Sequence, residues 1–160
     1  VIISDGHKKA EGNVEQIMGR LDLHPLTGRF DAGAVLSTKV ESYDKKYDIT
    51  NLSFEGGTLR VTGAKLTVGN MVRAHIKARD VSLMLNYPKH TSVLNIFEGK
   101  IIEIGDLQGA QIDIKIDIGS ALIARITKKS FDELGLRVGL NVFTMLKAVA
   151  INQRSLGGKR

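Results

Sequence analysis

The clearest hydrophobic pattern in the chain is a strict alternation over residues 111–119. Ile112, Ile114, Ile116 and Ile118 would face one side of an extended strand, and the charged residues between them would face the other. Similar patterns predict further strands at residues 34–42, 47–55, 58–62, 70–83, 96–104, 121–127 and 141–152. Many short strands at this spacing predict a mostly β fold, either a barrel or a sandwich.

Residues 1–20 predict a β-hairpin followed by a short helix. Asp5-Gly6 lies between two strand-like segments and is a strong hairpin signal. Asn13 is a suitable N-cap for a helix over residues 14–20. The apolar stripe of that helix would be formed by Val14, Ile17, Met18 and Leu21. The sequence Pro25–Gly28 then predicts a linker.

A second short helix is predicted near residue 130. Ser130 and Glu133 have the spacing of a capping box, in which a hydroxyl and a carboxylate satisfy the first backbone N–H groups of a helix. Gly135 follows at the position where helices commonly end.

The chain contains an internal repeat at a constant offset of 70 residues. The segment that starts Leu66-Thr67-Val68-Gly69 aligns without a gap to the segment that starts Leu136-Arg137-Val138-Gly139. The identical pairs include Val72 with Val142, Lys77 with Lys147, and Ala78 with Ala148. The repeat therefore predicts two copies of one small barrel unit.

Composition limits the classes of function. The chain of 160 residues has 42% hydrophobic and 25% charged residues, as in soluble globular proteins, with no apolar run long enough to span a membrane. It has no cysteine, which excludes disulfides and thiolate metal sites. The net charge of +6 comes from dispersed basic residues, and it is compatible with either an acidic partner or a solvated surface. Because the chain starts at Val1 in mid-pattern, we expect it to be a piece of a longer protein.

No catalytic motif is present in the sequence. It lacks a phosphate-binding P-loop and a nucleophile elbow, and His7, His24, His75 and His90 have no metal-ligand spacing. Asp113 and Asp117 could mimic a carboxylate pair, although a face of alternating charge explains them more simply. We therefore expect a binding module, not an enzyme and without a cofactor of its own.

Lys147 differs from its counterpart Lys77 in its predicted surroundings. Lys77 would share a strand face with Arg73, His75 and Arg79, whereas Lys147 would share one with large apolar residues such as Phe143 and Met145. A lysine in such a place must reach an anion, a carbonyl or the solvent, because burial of an unpaired charge is costly. Lys147 is therefore a candidate anion ligand.

Three segments resemble the Mop domain, the molybdate-binding barrel of the TOBE class. They are Thr91–Lys100, Ala124–Leu136 and Leu146–Val149, and they occur in the order and spacing of that domain. The resemblance implies a fold of two OB-like small β-barrel repeats of TOBE/Mop type with one or two short helices. Many Mop domains carry an arginine where this chain has Leu94, so the resemblance implies one donor fewer here.

The rest of the chain resembles the ATP-binding subunit of bacterial molybdate ABC transporters. The resemblance is carried by Ala78–Leu83, by the segment from Leu26 onward, and by Ser4–Gly6 with Ala10–Gly12. It implies four parts: residues 1–28 as the end of the ATPase domain plus a linker, 29–86 as the first TOBE-like repeat, 87–153 as the Mop domain, and 154–160 as a tail. The full-length subunit would be an ATPase at the inner face of the cell membrane.

The resemblance also implies a ligand, a site and partners. Molybdate or tungstate would be bound by the side chains of Ser92, Asn95, Thr127, Ser130 and Lys147 and by the backbone N–H of Ala148, across the interface of a homodimer. Such donors suit a tetrahedral dianion. The transporter's membrane subunit would be a partner of the full-length protein. Two alternatives stay open: a ligand-free dimerisation domain of another ABC importer, and an OB-type nucleic-acid-binding module, which the aromatic content of 5% disfavours.

Overall fold

The computed structural model describes residues 1–23, 32–151 and 156–158, so the predicted linker Pro25–Gly28 lies outside the described residues. The strands are β1 (Ile2–Ser4), β2 (His7–Ala10), β3 (Gly33–Asp44), β4 (Ile49–Phe54), β5 (Gly57–Thr62), β6 (Met71–Lys77), β7 (Val81–Met84), β8 (Asn95–Ile104), β9 (Gln111–Asp117), β10 (Ala121–Thr127), β11 (Asn141–Leu146) and β12 (Leu156–Gly158). The α-helices are α1 (Val14–Met18) and α2 (Lys128–Glu133), and 3-10 turns occur at Leu21–Leu23, Ala78–Asp80 and Ala148–Ala150. This architecture confirms the mostly β prediction.

The predicted N-terminal hairpin and helix are both present. β1 and β2 pair through a tight turn in which Asp5 and Gly6 have φ angles of 52° and 72°. The Asn13 side chain accepts a hydrogen bond from the Gln16 backbone N–H at 2.8 Å and caps α1. The predicted apolar stripe is wrong at Val14, which is 50% exposed because the buried face of this short helix is centred on Ile17.

Two five-stranded antiparallel sheets form the body of the protein. Their strand orders are β12-β6-β3-β4-β5 and β10-β9-β8-β11-β7. The run β6-β3-β4-β5 of the first sheet corresponds to β11-β8-β9-β10 of the second. The described topology therefore confirms the internal repeat and extends it upstream of Leu66.

The two repeats share irregular details as well as strand order. β3 has a bulge between Val40 and Ser42, and β8 has one between Ile101 and Glu103. Gly69 donates its backbone N–H to Val40 O, and Gly139 donates to Ile101 O, both at 2.8 Å. The φ angles of the two glycines are 90° and 88°, a region that residues with a Cβ rarely adopt. The same bulge and the same glycine turn therefore fix the register of the long first strand in each repeat.

A strand is exchanged between the repeats in each direction. The predicted strands 70–83 and 141–152 are wrong in extent, because the 3-10 turns Ala78–Asp80 and Ala148–Ala150 interrupt them. After the first turn, β7 crosses over and pairs with β11 in the second sheet. β12, in the predicted tail 154–160, pairs with β6 in the first sheet. Each repeat thus completes the sheet of the other.

The core is continuous across the two repeats. Ile112, Ile114 and Ile116 of β9 are fully buried together with Leu36, Leu52 and Ile76 of the first repeat. The rings of Phe54 and Phe97 meet edge to face with their centroids 5.2 Å apart. This burial confirms the alternation predicted for residues 111–119.

Equivalent turns of the two repeats touch at Gly56 and Gly119. A Cβ atom added to Gly56 would lie 1.8 Å from the Ile118 carbonyl oxygen, and one added to Gly119 would lie 2.7 Å from Gly56 Cα. Because no side chain fits between these backbones, glycine is required by the contact itself.

Two of the three charged side chains on the outer face of β9, Asp113 and Lys115, form ion pairs. Arg125 donates to both carboxylate oxygens of Asp113, at 2.7 and 2.8 Å, and both side chains are largely buried. The hydrogen bond to Asp113 raises the pKa of Arg125 above its ordinary value. Lys115 Nζ lies 3.8 Å from Glu103 Oε2. Asp113 therefore stabilises the sheet and is not one half of a carboxylate pair with Asp117.

Candidate functional site

The six residues predicted to bind an oxyanion fall in two places. The first place, which we name the loop–turn group, joins the start of β8 to the end of β11 and contains Ser92, Asn95, Lys147 and Ala148. The second place, the hydroxyl pair, lies where β10 meets α2 and contains Thr127 and Ser130.

Strand register brings the members of the loop–turn group together. Asn95 is the first residue of β8 and is paired with Leu146, the last residue of β11. The loop that precedes Asn95 therefore runs beside the 3-10 turn that follows Leu146. Ser92 is exposed in this loop, in which the Val93 backbone N–H donates to Thr91 Oγ1 at 3.1 Å.

Asn95 is buried and holds the two repeats together. Its Oδ1 accepts from the Arg60 backbone N–H at 2.7 Å, and its Nδ2 donates to Arg60 O at 2.9 Å. Its side chain has no exposed surface in the single chain. The amide carries a second N–H that these two bonds do not use, and oxyanion binding through it stays a prediction.

Lys147 is exposed at the end of β11. The expectation that it would continue a strand face of large apolar residues is wrong in part. Phe143 and Met145 are half-buried on β11, but the strand ends at Leu146 and the 3-10 turn Ala148–Ala150 leads the chain away. The ammonium group therefore reaches the surface without having to cross a core.

The Ala148 backbone N–H differs from its counterpart in the first repeat. The Ala78 N–H donates to Ala32 O at 2.9 Å, which closes the first repeat at this point. Within the described part of the chain, the Ala148 N–H has no hydrogen-bond acceptor. An unpaired backbone donor beside an exposed lysine is suited to an anion, because backbone N–H groups seldom remain without a partner.

The hydroxyl pair has a different geometry from the one predicted. Thr127, not Ser130, is the N-cap of α2, since its extended backbone precedes the helix and its Oγ1 accepts from the Ser130 N–H at 3.0 Å. The prediction that Ser130 caps the helix is therefore wrong, because Ser130 lies within its first turn. The two hydroxyl oxygens are 2.9 Å apart. Their mutual hydrogen bond uses one hydroxyl proton and leaves the other for an acceptor outside the pair.

Within one chain the hydroxyl pair lies far from the loop–turn group. Thr127 pairs with Gln111 at the start of β9, and the Lys128 N–H donates to Ala110 O at 2.9 Å. That end of β9 adjoins Ile104 at the end of β8, whereas Asn95 is at its beginning. Ten strand residues at roughly 3.3 Å each separate these ends along β8.

The structure adds Arg60, which the sequence gives no reason to choose. Arg60 lies on β5, and its Nη1 donates to Leu94 O at 3.1 Å, beside the loop–turn group. The contact joins residues 34 positions apart in the two repeats, so no local motif could have predicted it.

Exposed apolar side chains lie in the loop before β8 and after the end of β7, which pairs with β11 at Phe143. Leu85, Tyr87 and Leu94 are 41%, 62% and 44% exposed, and the Tyr87 ring meets the ring of Phe143 edge to face. No group of acidic and histidine residues that could hold a metal, and no helix able to cross a membrane, occurs among the described residues.

Comparison with known proteins finds a family match for the part of the chain that contains these residues. Residues 91–152 match the TOBE domain family, and this range includes all six predicted site residues. The chain is 38% identical over 158 residues to the molybdenum import ATP-binding protein ModC of Mesorhizobium japonicum and 39% identical over 155 residues to that of Pseudomonas fluorescens. These alignments cover 98% and 94% of the chain but only 43% of each relative, and they match the C-terminal part, outside the ATPase domain.

A solved structure confirms the fold. The cytoplasmic molybdate-binding protein ModG, in a crystal form with molybdate bound, superposes with a TM-score of 0.67 at 22% identity. The superposition covers 78% of this chain and 95% of that one. At this identity the likeness establishes the TOBE-type double barrel and nothing about the ligand.

Proposed function

We propose that this chain, whose residues 91–152 belong to the TOBE domain family, is the regulatory oxyanion-binding part of the ATP-binding subunit of a molybdate importer. Its ligand is molybdate or tungstate. The observation that carries the proposal is the unpaired Ala148 N–H beside the exposed Lys147, at the place where the first repeat bonds the same N–H internally. The similarity to ModC proteins supports the assignment to an importer subunit. We place the full-length protein at the inner face of the cell membrane.

The loop–turn group has the chemistry that a tetrahedral dianion requires. Such an ion accepts hydrogen bonds and donates none, so its site needs donors and positive charge. Lys147 supplies charge, the Ala148 N–H supplies a fixed donor, and Ser92 supplies an exposed hydroxyl in the adjacent loop. Asn95 fixes the position of that loop and carries one further N–H.

The separation of the two groups favours a site shared by two copies of the chain. One copy offers the loop–turn group and the other offers the hydroxyl pair, so that donors approach the anion from opposite sides. The exposed Leu85, Tyr87 and Leu94 would be covered in such a homodimer, and their burial would stabilise it. Symmetry then gives two equivalent sites.

Regulation follows if the anion prefers one arrangement of the dimer. Intracellular oxyanion bound between two chains would favour the ATPase arrangement in which these chains are close, and import would slow as the oxyanion accumulates. The effect is limited to the difference in affinity between the two arrangements.

Calorimetric titration of the 160-residue chain with molybdate, tungstate and sulfate tests the proposal. We expect binding of molybdate and tungstate, with a loss of about tenfold to a hundredfold in affinity for Lys147→Ala, because a hydrogen bond to a charged group contributes about 1.5–3 kcal/mol. Lys77→Ala, the equivalent change in the first repeat, is the matched control and should bind as the wild type does. A folded dimer that binds no oxyanion would contradict the proposal and leave a structural dimerisation domain.

Mixing two defective variants extends the same titration to the shared site. Lys147→Ala and the double variant Thr127→Ala/Ser130→Ala should each bind weakly. After unfolding and refolding together, their mixed dimer keeps one site in which every donor is present, so tight binding should return at half or less of the wild-type stoichiometry. Failure of the mixture to recover, with mixed dimers present, would place all the donors in one chain.

A further inference from the structure

Arg60 is attached to the second repeat through both its backbone and its side chain. The Asn95 amide accepts from the Arg60 N–H and donates to the Arg60 carbonyl, which fixes the backbone of β5 against the start of β8. The guanidinium then reaches along the loop and donates from Nη1 to Leu94 O at 3.1 Å. Two hydrogen bonds therefore fix the backbone of Arg60, and a third fixes its exposed guanidinium.

That position is beside the loop–turn group. Leu94 lies between Ser92 and Asn95, and the register that pairs Asn95 with Leu146 places Leu94 next to Lys147. β5 also packs against the 3-10 turn that begins at Ala148. The guanidinium of the first repeat, the ammonium of Lys147 and the N–H of Ala148 thus share one edge of the molecule.

We propose that Arg60 is a further oxyanion-binding residue, which the first repeat contributes to the site in the second. This inference rests on the function proposed above. Arg60 and Lys147 together carry two positive charges, which match a dianion. Within the described part of the chain, neither forms an ion pair with a carboxylate.

The geometry of the guanidinium suits a tetrahedral oxyanion. Its N–H groups lie in one plane and diverge, so that Nη1 can stay on Leu94 O while other N–H groups turn to an oxyanion oxygen. Because the backbone and the guanidinium of Arg60 are already held in place, less side-chain entropy is lost when the anion binds. Arg60 also makes the site depend on the contact between the repeats.

Titration of Arg60→Gln and Arg60→Lys with molybdate and with perrhenate, a tetrahedral monoanion, tests this inference. We expect Arg60→Gln to weaken molybdate binding at least tenfold and perrhenate binding less, because loss of a positive charge affects a dianion more than a monoanion. Arg60→Lys should recover part of the molybdate affinity. Arg73→Gln, the same loss of charge on the exposed part of β6, is the control and should stay within twofold of the wild type.

Thermal unfolding without ligand separates binding from a structural role. Arg60→Gln should unfold within a few degrees of Arg73→Gln, because it keeps the backbone bonds to Asn95. Tight binding by the wild type and equally tight binding by Arg60→Gln would overturn the inference and leave the proposed function standing. Equal losses for both anions and both Arg60 variants, with lowered thermal stability, would also overturn it. A wild type that binds no oxyanion would overturn both proposals.

Discussion

The two repeats have the same backbone plan but differ at the points where the second has its predicted site. Both contain a bulge in the long first strand and a glycine with φ near 90° that donates to that bulge. They differ where Ala78 has a bonded N–H and Ala148 does not. They differ again after the third strand of each unit, since β5 is followed by a short link to Leu66 and β10 is followed by α2.

These differences indicate which features belong to the barrel and which belong to the site. A backbone feature present in both copies, such as the bulge and the glycine that donates to it, is explained by the requirements of the fold. Among the described residues, the second copy has the unpaired Ala148 N–H, a helix capped by Thr127 and the buried Asn95. At the equivalent positions the first copy has the bonded Ala78 N–H, no such helix and the apolar Ala34. Duplication thus supplies an internal control that a single barrel lacks.

The largest effect is expected at the contact between the two repeats. Gly56→Ala places a methyl group 1.8 Å from the Ile118 carbonyl oxygen, and both partners are backbone, so neither can move aside cheaply. We expect a loss of about 3 kcal/mol or more in the free energy of unfolding, at the upper end of the range for overpacking. Urea denaturation of the chain measures it.

Gly135→Ala is the control for the effect of adding a Cβ. Gly135 has a φ of 57° and no atom near its Cβ position, so its cost is conformational only, about 1 kcal/mol. If Gly56→Ala were no more costly than Gly135→Ala, the two turns would not be in the close contact described.

The fold was predictable from the sequence where the signals are local. The turn at Asp5-Gly6, the cap at Asn13 and the alternation over residues 111–119 each depend on neighbours a few positions apart, and the structure confirms all three. The strand exchange was not predictable, because neither residues 78–80 nor residues 148–150 contain the glycine or proline that commonly marks a turn. Only long-range pairing reveals that these residues turn.

The site was predictable in part, for the same reason. The repeat drew attention to Lys147, and the resemblance supplied the six residues, but neither could show that Asn95 bonds to Arg60, 35 positions away. The start of α2 was misplaced by three residues because Ser130–Glu133 and Thr127–Ser130 both have residues suited to capping. The hydrogen bond that Thr127 Oγ1 accepts decides between them.

The second prediction replaces Asn95 by alanine, the residue that the first repeat has at the equivalent position, Ala34. Asn95→Ala removes a buried amide and leaves the N–H and the carbonyl of Arg60 without their partners at a partly buried contact. We expect a loss of about 2–3 kcal/mol in the free energy of unfolding, because a buried polar group without a partner costs about 1–3 kcal/mol. The measurement is again urea denaturation.

Asn51→Ala is the matched control for Asn95→Ala. Asn51 Nδ2 donates to Ser42 Oγ at 2.9 Å in a half-buried position between neighbouring strands of one repeat. Because solvent can replace that hydroxyl, we expect its loss to cost about 1 kcal/mol or less. Equal costs for the two variants would show that the Asn95 amide does not hold the repeats together.

The smallest effects are expected at Gly69 and Gly139, the two glycines whose turns have the same geometry in both repeats. Gly69→Ala and Gly139→Ala each force a residue with a Cβ to a φ near 90°, and neither new methyl group meets another atom within 4 Å. The cost is therefore that of the backbone conformation alone, about 1–2 kcal/mol for each variant, and it should be the same within about 0.5 kcal/mol. Urea denaturation of the two single variants and the double variant measures both equality and additivity. A Gly139→Ala cost much larger than that of Gly69→Ala would mean that the second repeat holds its turn more rigidly. The two turns would then contribute unequally to stability although their backbones are alike. The site in the second repeat would depend on the Gly139 turn as well as on its own hydrogen-bond donors.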